Sequence, residues 1–122
     1  MLINRLTLIK GFIDIITDGK EIFLIKNEGS RKRCGGIGDI LTGILAANLA
    51  IYKKNISEAD KINLFETKHN NKMLVICAVA CFICRETAKL AFISKGISLT
   101  APDVIEEIHN VLKIVNPFCP LN

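Results

Sequence analysis

The spacing of apolar residues changes character several times along the chain, and each change predicts a different element. Residues 5–9 read as a short strand. In "DIITDGKEIFLI", Asp18-Gly19 separates two β-prone runs, which is the signal of a hairpin. From 39 to 52 the period becomes helical: Ile40, Leu41, Ile44, Leu45, Leu49 and Tyr52 share one face, with Ala46, Ala47 and Ala50 small enough for close packing. Residues 53–71, "KKNISEADKINLFETKHNNK" up to its last position, are polar and irregular and predict a long surface connection. From Lys72 to about Phe92 the residues are apolar nearly all round, which describes a central helix buried on most faces. A last helix follows in "SLTAPDVIEEI", with Thr100 as N-cap, Pro102 in the first turn and Asp103 three residues past the cap. Its stripe is Val104, Ile105, Ile108, Val111, Leu112 and Val115. The order strand, hairpin, helix, loop, helix, helix predicts an α/β fold or part of one.

Composition narrows the function classes. At 122 residues, half of them hydrophobic, residues 1–122 suit one modest domain with a single core. A net charge of +4 favours anionic partners without choosing between small molecules and nucleic acid. The aromatic count chooses: with six Phe, one Tyr and no Trp, the basic residues are not interleaved with stacking side chains, so no nucleic-acid partner is expected. Five cysteines are an odd number, and Arg5 and Lys10 interrupt the apolar start, so reduced thiols in an intracellular protein are expected. The longest apolar stretches fall short of the roughly 20 residues that span a bilayer, and no membrane association is expected.

The costly feature is "SRKRCGGIGDILTG", residues 30–43. Glycine loses more backbone entropy on folding than any other residue, so Gly35, Gly36 and Gly38 need a reason. A loop feeding a helix aims unpaired N–H groups at one point, and the helix dipole adds partial positive charge there. Glycines let an oxygen approach that backbone, and Arg31, Lys32 and Arg33 add charge to the same ligand. A phosphate fits best. Asp39 is the anomaly, because a carboxylate repels phosphate. Either it takes a proton from a substrate hydroxyl as that oxygen attacks phosphorus, or it only caps the helix. Neither the P-loop nor the dinucleotide-binding pattern is present.

The run "NEGSRKRCGGIGDILTGILAANLA" resembles the signature of the ATP-dependent NAD(P)H-hydrate dehydratases, a branch of the ribokinase-like superfamily. Upstream, "TLIKGFIDIITDG" is similar to the family's strand carrying Lys-Gly-x-x-Asp, here Lys10, Gly11 and Asp14. Downstream, "AVACFICRETAKLAF" and "KGISLTAPDVIEEI" are similar to its last two helices. The resemblance implies the C-terminal part of a ribokinase-like three-layer fold. It also implies an enzyme that phosphorylates the hydroxyl of a hydrated nicotinamide ring with ATP, whereupon phosphate leaves and NADH or NADPH is restored. Carried over by position, Lys10, Gly11, Phe12, Ile13 and Asp14 would contact ATP, as would Gly29, Ser30, Arg31, Lys32, Arg33, Cys34, Gly35, Gly36, Ile37 and Gly38. Asp39 would face the hydrate as the base, magnesium would bridge the phosphates, and an NAD(P)H-hydrate epimerase would be the functional partner. The implied location is cytoplasmic, with a mitochondrial form left open.

In that family an upstream portion supplies several sheet strands and much of the hydrate pocket. The 122 residues alone are therefore expected to have little or no dehydratase activity. A strand edge and apolar helix faces would need cover from a partner chain, a preceding region or self-association. Two readings stand beside the dehydratase: a small-molecule kinase of the hydroxymethylpyrimidine or hydroxyethylthiazole type, and a non-catalytic nucleotide-binding fragment. Other residues read as structural. Cys77, Cys81 and Cys84 match an iron–sulfur spacing, but at i, i+4 and i+7 of an apolar helix they read as packing. Cys34 is read as incidental, His69 and His109 as isolated, and Lys53, Lys54, Lys61 and Lys68 as solvated. Arg85 and Glu86 predict an internal ion pair or a cap on a neighbouring loop.

Overall fold

The computed structural model describes residues 5–58 and 70–115. Three short strands, β1 (Thr7–Ile9), β2 (Asp14–Thr17) and β3 (Ile22–Ile25), pair antiparallel in the order β1-β2-β3. The register sets Ile16 between Leu8 and Phe23, and because strand side chains alternate, these three share the face that joins the core. The expected hairpin is present. Asp18 closes it by accepting from the N–H groups of Lys20 (2.9 Å) and Glu21 (2.8 Å), while Gly19 takes φ 91°.

Three helices follow: α1 (Ile37–Lys54), α2 (Asn70–Lys95) and α3 (Ala101–Val115), with a 3₁₀ turn at Gly96–Ser98. The central helix packs against β2 and β3 and against both other helices. Its buried residues, among them Leu74, Cys77, Ala80, Cys81, Cys84 and Ala91, are mostly small, which lets three elements approach it. The fold is a mixed α/β arrangement, as the pattern predicts.

Several boundaries move. The first strand covers 7–9 of the expected 5–9, and α1 starts two residues early, so Gly38 lies inside its first turn. Lys53 and Lys54 belong to α1, Asn70 and Asn71 to α2, and α2 runs on to Lys95. The apolar stripe of α3 is narrower than expected. Val104 and Val111 are buried, but Ile105, Leu112 and Val115 are exposed, because α3 meets its neighbours along one seam only. Of the expected connection, 59–69 lies outside the described residues, and with it Lys61, Lys68 and His69.

Apolar side chains are also exposed on the sheet and on the central helix. Ile9, Ile22 and Leu24 stand on the sheet face away from the core, and Val75, Val79 and Phe82 form an exposed stripe on α2. Among the described residues no helix is long and apolar enough to cross a membrane.

Candidate functional site

The sequence places two chemistries side by side: a basic, glycine-rich run, and the Lys10-Gly11-x-x-Asp14 turn between β1 and β2. The fold brings both to one cleft of about 760 Å³. Its walls are Lys10–Phe12, the segment after β3 from Lys26 to Cys34, the first turn of α1 at Ile37 and Gly38, and Cys84, Arg85 and Ala88 of α2. Most of the residues named from sequence thus converge. Ile13, Asp14, Gly35, Gly36 and Asp39 do not line the cleft.

Asp14 is fully buried and organises the turn from beneath. Its carboxylate accepts from Lys10 Nζ at 2.9 and 3.1 Å and from the Gly11 N–H at 3.0 Å, and Arg85 Nη1 lies 3.4 Å away. A buried carboxylate without such partners would be strongly unfavourable, so two cations and an amide are what allow it there. Gly11 itself is tightly placed, since a Cβ would stand 3.2 Å from the Ile13 carbonyl.

The helix start answers part of the glycine question. Gly36 is the N-cap of α1 with φ 90°, a conformation that favours glycine, and a Cβ there would meet that of Ala101 at 3.2 Å. No side chain caps this helix, so Asp39 is not the hydrogen-bonding cap that one sequence reading allowed. It stands exposed in the first turn, where its charge complements the dipole. A Cβ on Gly35 or Gly38 would meet nothing within 4 Å. Their bareness leaves the backbone of the helix start approachable, and Gly38 lines the cleft.

The cleft is basic. Among the described residues, Lys10, Lys26, Arg31, Lys32, Arg33 and Arg85 line it against a single carboxylate, Glu28, which sits 3.8 Å from Arg31 Nε. Lys32 is committed to the fold, donating from Nζ to the carbonyls of Ile97 and Leu99, the latter at 3.4 Å. Lys26 and Arg33 have no ion pair or side-chain hydrogen bond among the described residues. With unit charges at 4 Å worth roughly 1 kcal/mol in water and about 4 at a protein surface, several such cations favour a polyanion over a monoanion.

Sequence reading missed Lys26, Glu28, Cys84, Arg85 and Ala88 as lining residues. Lys26 and Glu28 adjoin the basic run and a wider window would have caught them. The α2 residues carried no signal, because their place depends on a contact made more than 50 positions away. The cysteines are packing, as expected: burial raises the Cys77 and Cys84 thiols, and burial followed by the Asp14 charge pushes Cys81 up to about 12. His109 is exposed, its Nδ1 2.8 Å from the Glu106 carbonyl.

A family model described as NAD(P)H-hydrate dehydratase matches residues 2–110, through the turn, the basic run and all three helices. The chain belongs to the NAD(P)H-hydrate dehydratase family. Among relatives named ATP-dependent (S)-NAD(P)H-hydrate dehydratase, that of Danio rerio is 40% identical over 112 residues, covering 91% of this chain and 32% of its own length. That of Phaeosphaeria nodorum is 40% identical over 104 residues, 82% of this chain and 30% of the relative. That of Entamoeba histolytica is 34% identical over 103 residues, 84% and 31% respectively. The chain spans about a third of the length of the curated relatives it matches. The three strands and three helices of the described residues are consistent with part of the carbohydrate-kinase-like fold of the family.

Proposed function

We propose that this chain supplies the phosphate-holding side of an ATP-dependent NAD(P)H-hydrate dehydratase. The observation that carries the reading is the convergence of the Lys10–Phe12 turn and the Gly29–Gly38 run on one basic cleft at the start of α1. Relatives that share this stretch are named for ATP and for the hydrate. The cleft's cations and the exposed amides of the helix start take the triphosphate of ATP. To Asp39, in the same first turn but outside the cleft, this reading assigns the base that takes the proton of the acceptor alcohol as its oxygen attacks the γ-phosphorus. ADP departs, the ring oxygen then leaves as phosphate with the C–O electron pair, and the adjacent ring carbon gives up a proton to solvent, which restores the dihydropyridine double bond. Phosphorylation matters because phosphate is a far better leaving group than hydroxide.

Among the described residues Glu28 is the one carboxylate lining the cleft, and no three metal-ligating side chains cluster. Magnesium therefore fits this site as a companion of the phosphates, not as an ion in a protein cage. When bound it screens phosphate charge. An epimerase that interconverts the two hydrate epimers is the functional partner this reading implies.

The test joins the chain to the remaining two-thirds of the Danio rerio relative and follows NADH absorbance with NADH hydrate and ATP. Turnover is expected in the chimera and little or none with the 122 residues alone. Asp39→Asn in the chimera is expected to lower turnover by about a hundredfold or more, the usual worth of a general base. Unchanged turnover in that variant would remove Asp39 from the chemistry.

A further inference from the structure

The sequence suggests an ion pair or loop cap for Arg85, and the structure gives it more partners than either role needs. Its side chain is only 10% exposed and comes from the middle of α2. Nε donates to the Asn27 carbonyl at 2.6 Å, Nη2 to the Phe12 carbonyl at 2.7 Å, and Nη1 to the Gly11 carbonyl at 3.3 Å while facing Asp14 at 3.4 Å. The three accepting carbonyls belong to two segments that both contribute to the cleft wall. Each of the three guanidinium nitrogens has a protein partner, so the fold fixes the side chain in place.

Its neighbour reinforces the grip. Glu86 accepts from Asn27 Nδ2 at 2.8 Å, so α2 holds Asn27 by its main chain and its side chain together. Asn27 Oδ1 is left buried without a hydrogen-bond partner.

We infer that Arg85 is a positioning residue that fixes the Gly11–Phe12 turn and the Asn27 segment to α2, at the separation the cleft needs to hold a polyphosphate. Its planar fork suits the task, because one lysine amine cannot reach three carbonyls in two segments. The inference rests on the nucleotide reading of the cleft, and the test separates the two.

Arg85→Lys keeps a cation beside Asp14, so folding is retained where Arg85→Ala would leave that carboxylate short of a partner. Hydrogen exchange on the whole chain is expected to show residues 11–13 and 27–29 exchanging faster together in the lysine variant, with α2 unchanged. Its affinity for ATP is expected to fall by about tenfold, the worth of one lost charge-assisted hydrogen bond. Wild-type exchange in both segments, or an ATP affinity equal to wild type, would overturn the role. So would acceleration spread evenly over the whole chain, which marks a general loss of stability. If wild type itself fails to bind ATP, the nucleotide reading falls, and the paired exchange of the two segments alone decides whether Arg85 ties them.

Discussion

At the residue scale, glycines in one short run do different work. Gly36 is required by the fold, through its positive φ and its approach to Ala101. Gly38 sits in regular helix with open space beside it, on the cleft wall. The two are separable by substitution. Gly36→Ala is expected to lose about 1–2 kcal/mol, the cost of a left-handed L-residue, read as a lower urea midpoint. Gly38→Ala is expected to match or exceed wild-type stability, by up to about 1 kcal/mol from helix propensity, while weakening ATP binding because a methyl group intrudes on the wall. Equal losses of stability in both would erase the distinction. The glycine run was conspicuous in the sequence, but the division of labour within it was not, since φ values and neighbours are set by where α3 docks. Asp14 shows the same limit. Its motif marked it as a ligand contact, yet burial turns it into the anchor of Lys10 and the turn.

At the scale of elements, the clearest signals were those carried by local chemistry. The Asp18-Gly19 hairpin and the start of α3 both stand as read. At the latter, the Asp103 carboxylate accepts from the Thr100 N–H at 2.8 Å and from its hydroxyl at 2.7 Å, closing one half of a capping box. These bonds, the side-chain one foremost, hold Asp103 below its ordinary value of 3.8, with Lys95 adding to the effect. Because the folded value is the lower one, the cap's stabilisation is full above 3.8 and disappears as pH falls through the folded value. Asp103→Asn is therefore expected to melt below wild type at neutral pH, with the gap closing in acid. A gap that stays constant down to pH values well below 3.8 would contradict the charged cap. Helix ends without such chemistry were misjudged, as at α1, where the sequence set the start after Gly38 although a glycine N-cap lies at Gly36.

For the whole molecule, what escaped sequence reading is what depends on long-range packing. The order of elements and the central place of α2 followed from hydrophobic pattern. The width of the buried stripe on α3 did not, because pattern says which residues can be buried and neighbours decide which are. Arg85 shows how far local reading goes: the ion pair and loop cap expected of it are present, but no local spacing announces that carbonyls from two distant segments meet at its guanidinium. The uncovered faces at Ile9, Ile22 and Leu24 and at Val75, Val79 and Phe82 agree with a chain that spans about a third of its relatives' length. The central claim needs none of those faces covered. It is that the turn at Lys10–Phe12 and the run Gly29–Gly38 together hold the phosphates of a nucleotide. An amide-resolved NMR titration of the chain with magnesium and ATP tests it most directly. Saturable shifts concentrated at residues 10–12 and 29–39, reproduced by inorganic triphosphate, are the predicted result, and absence of binding, or shifts centred away from the start of α1, would contradict it.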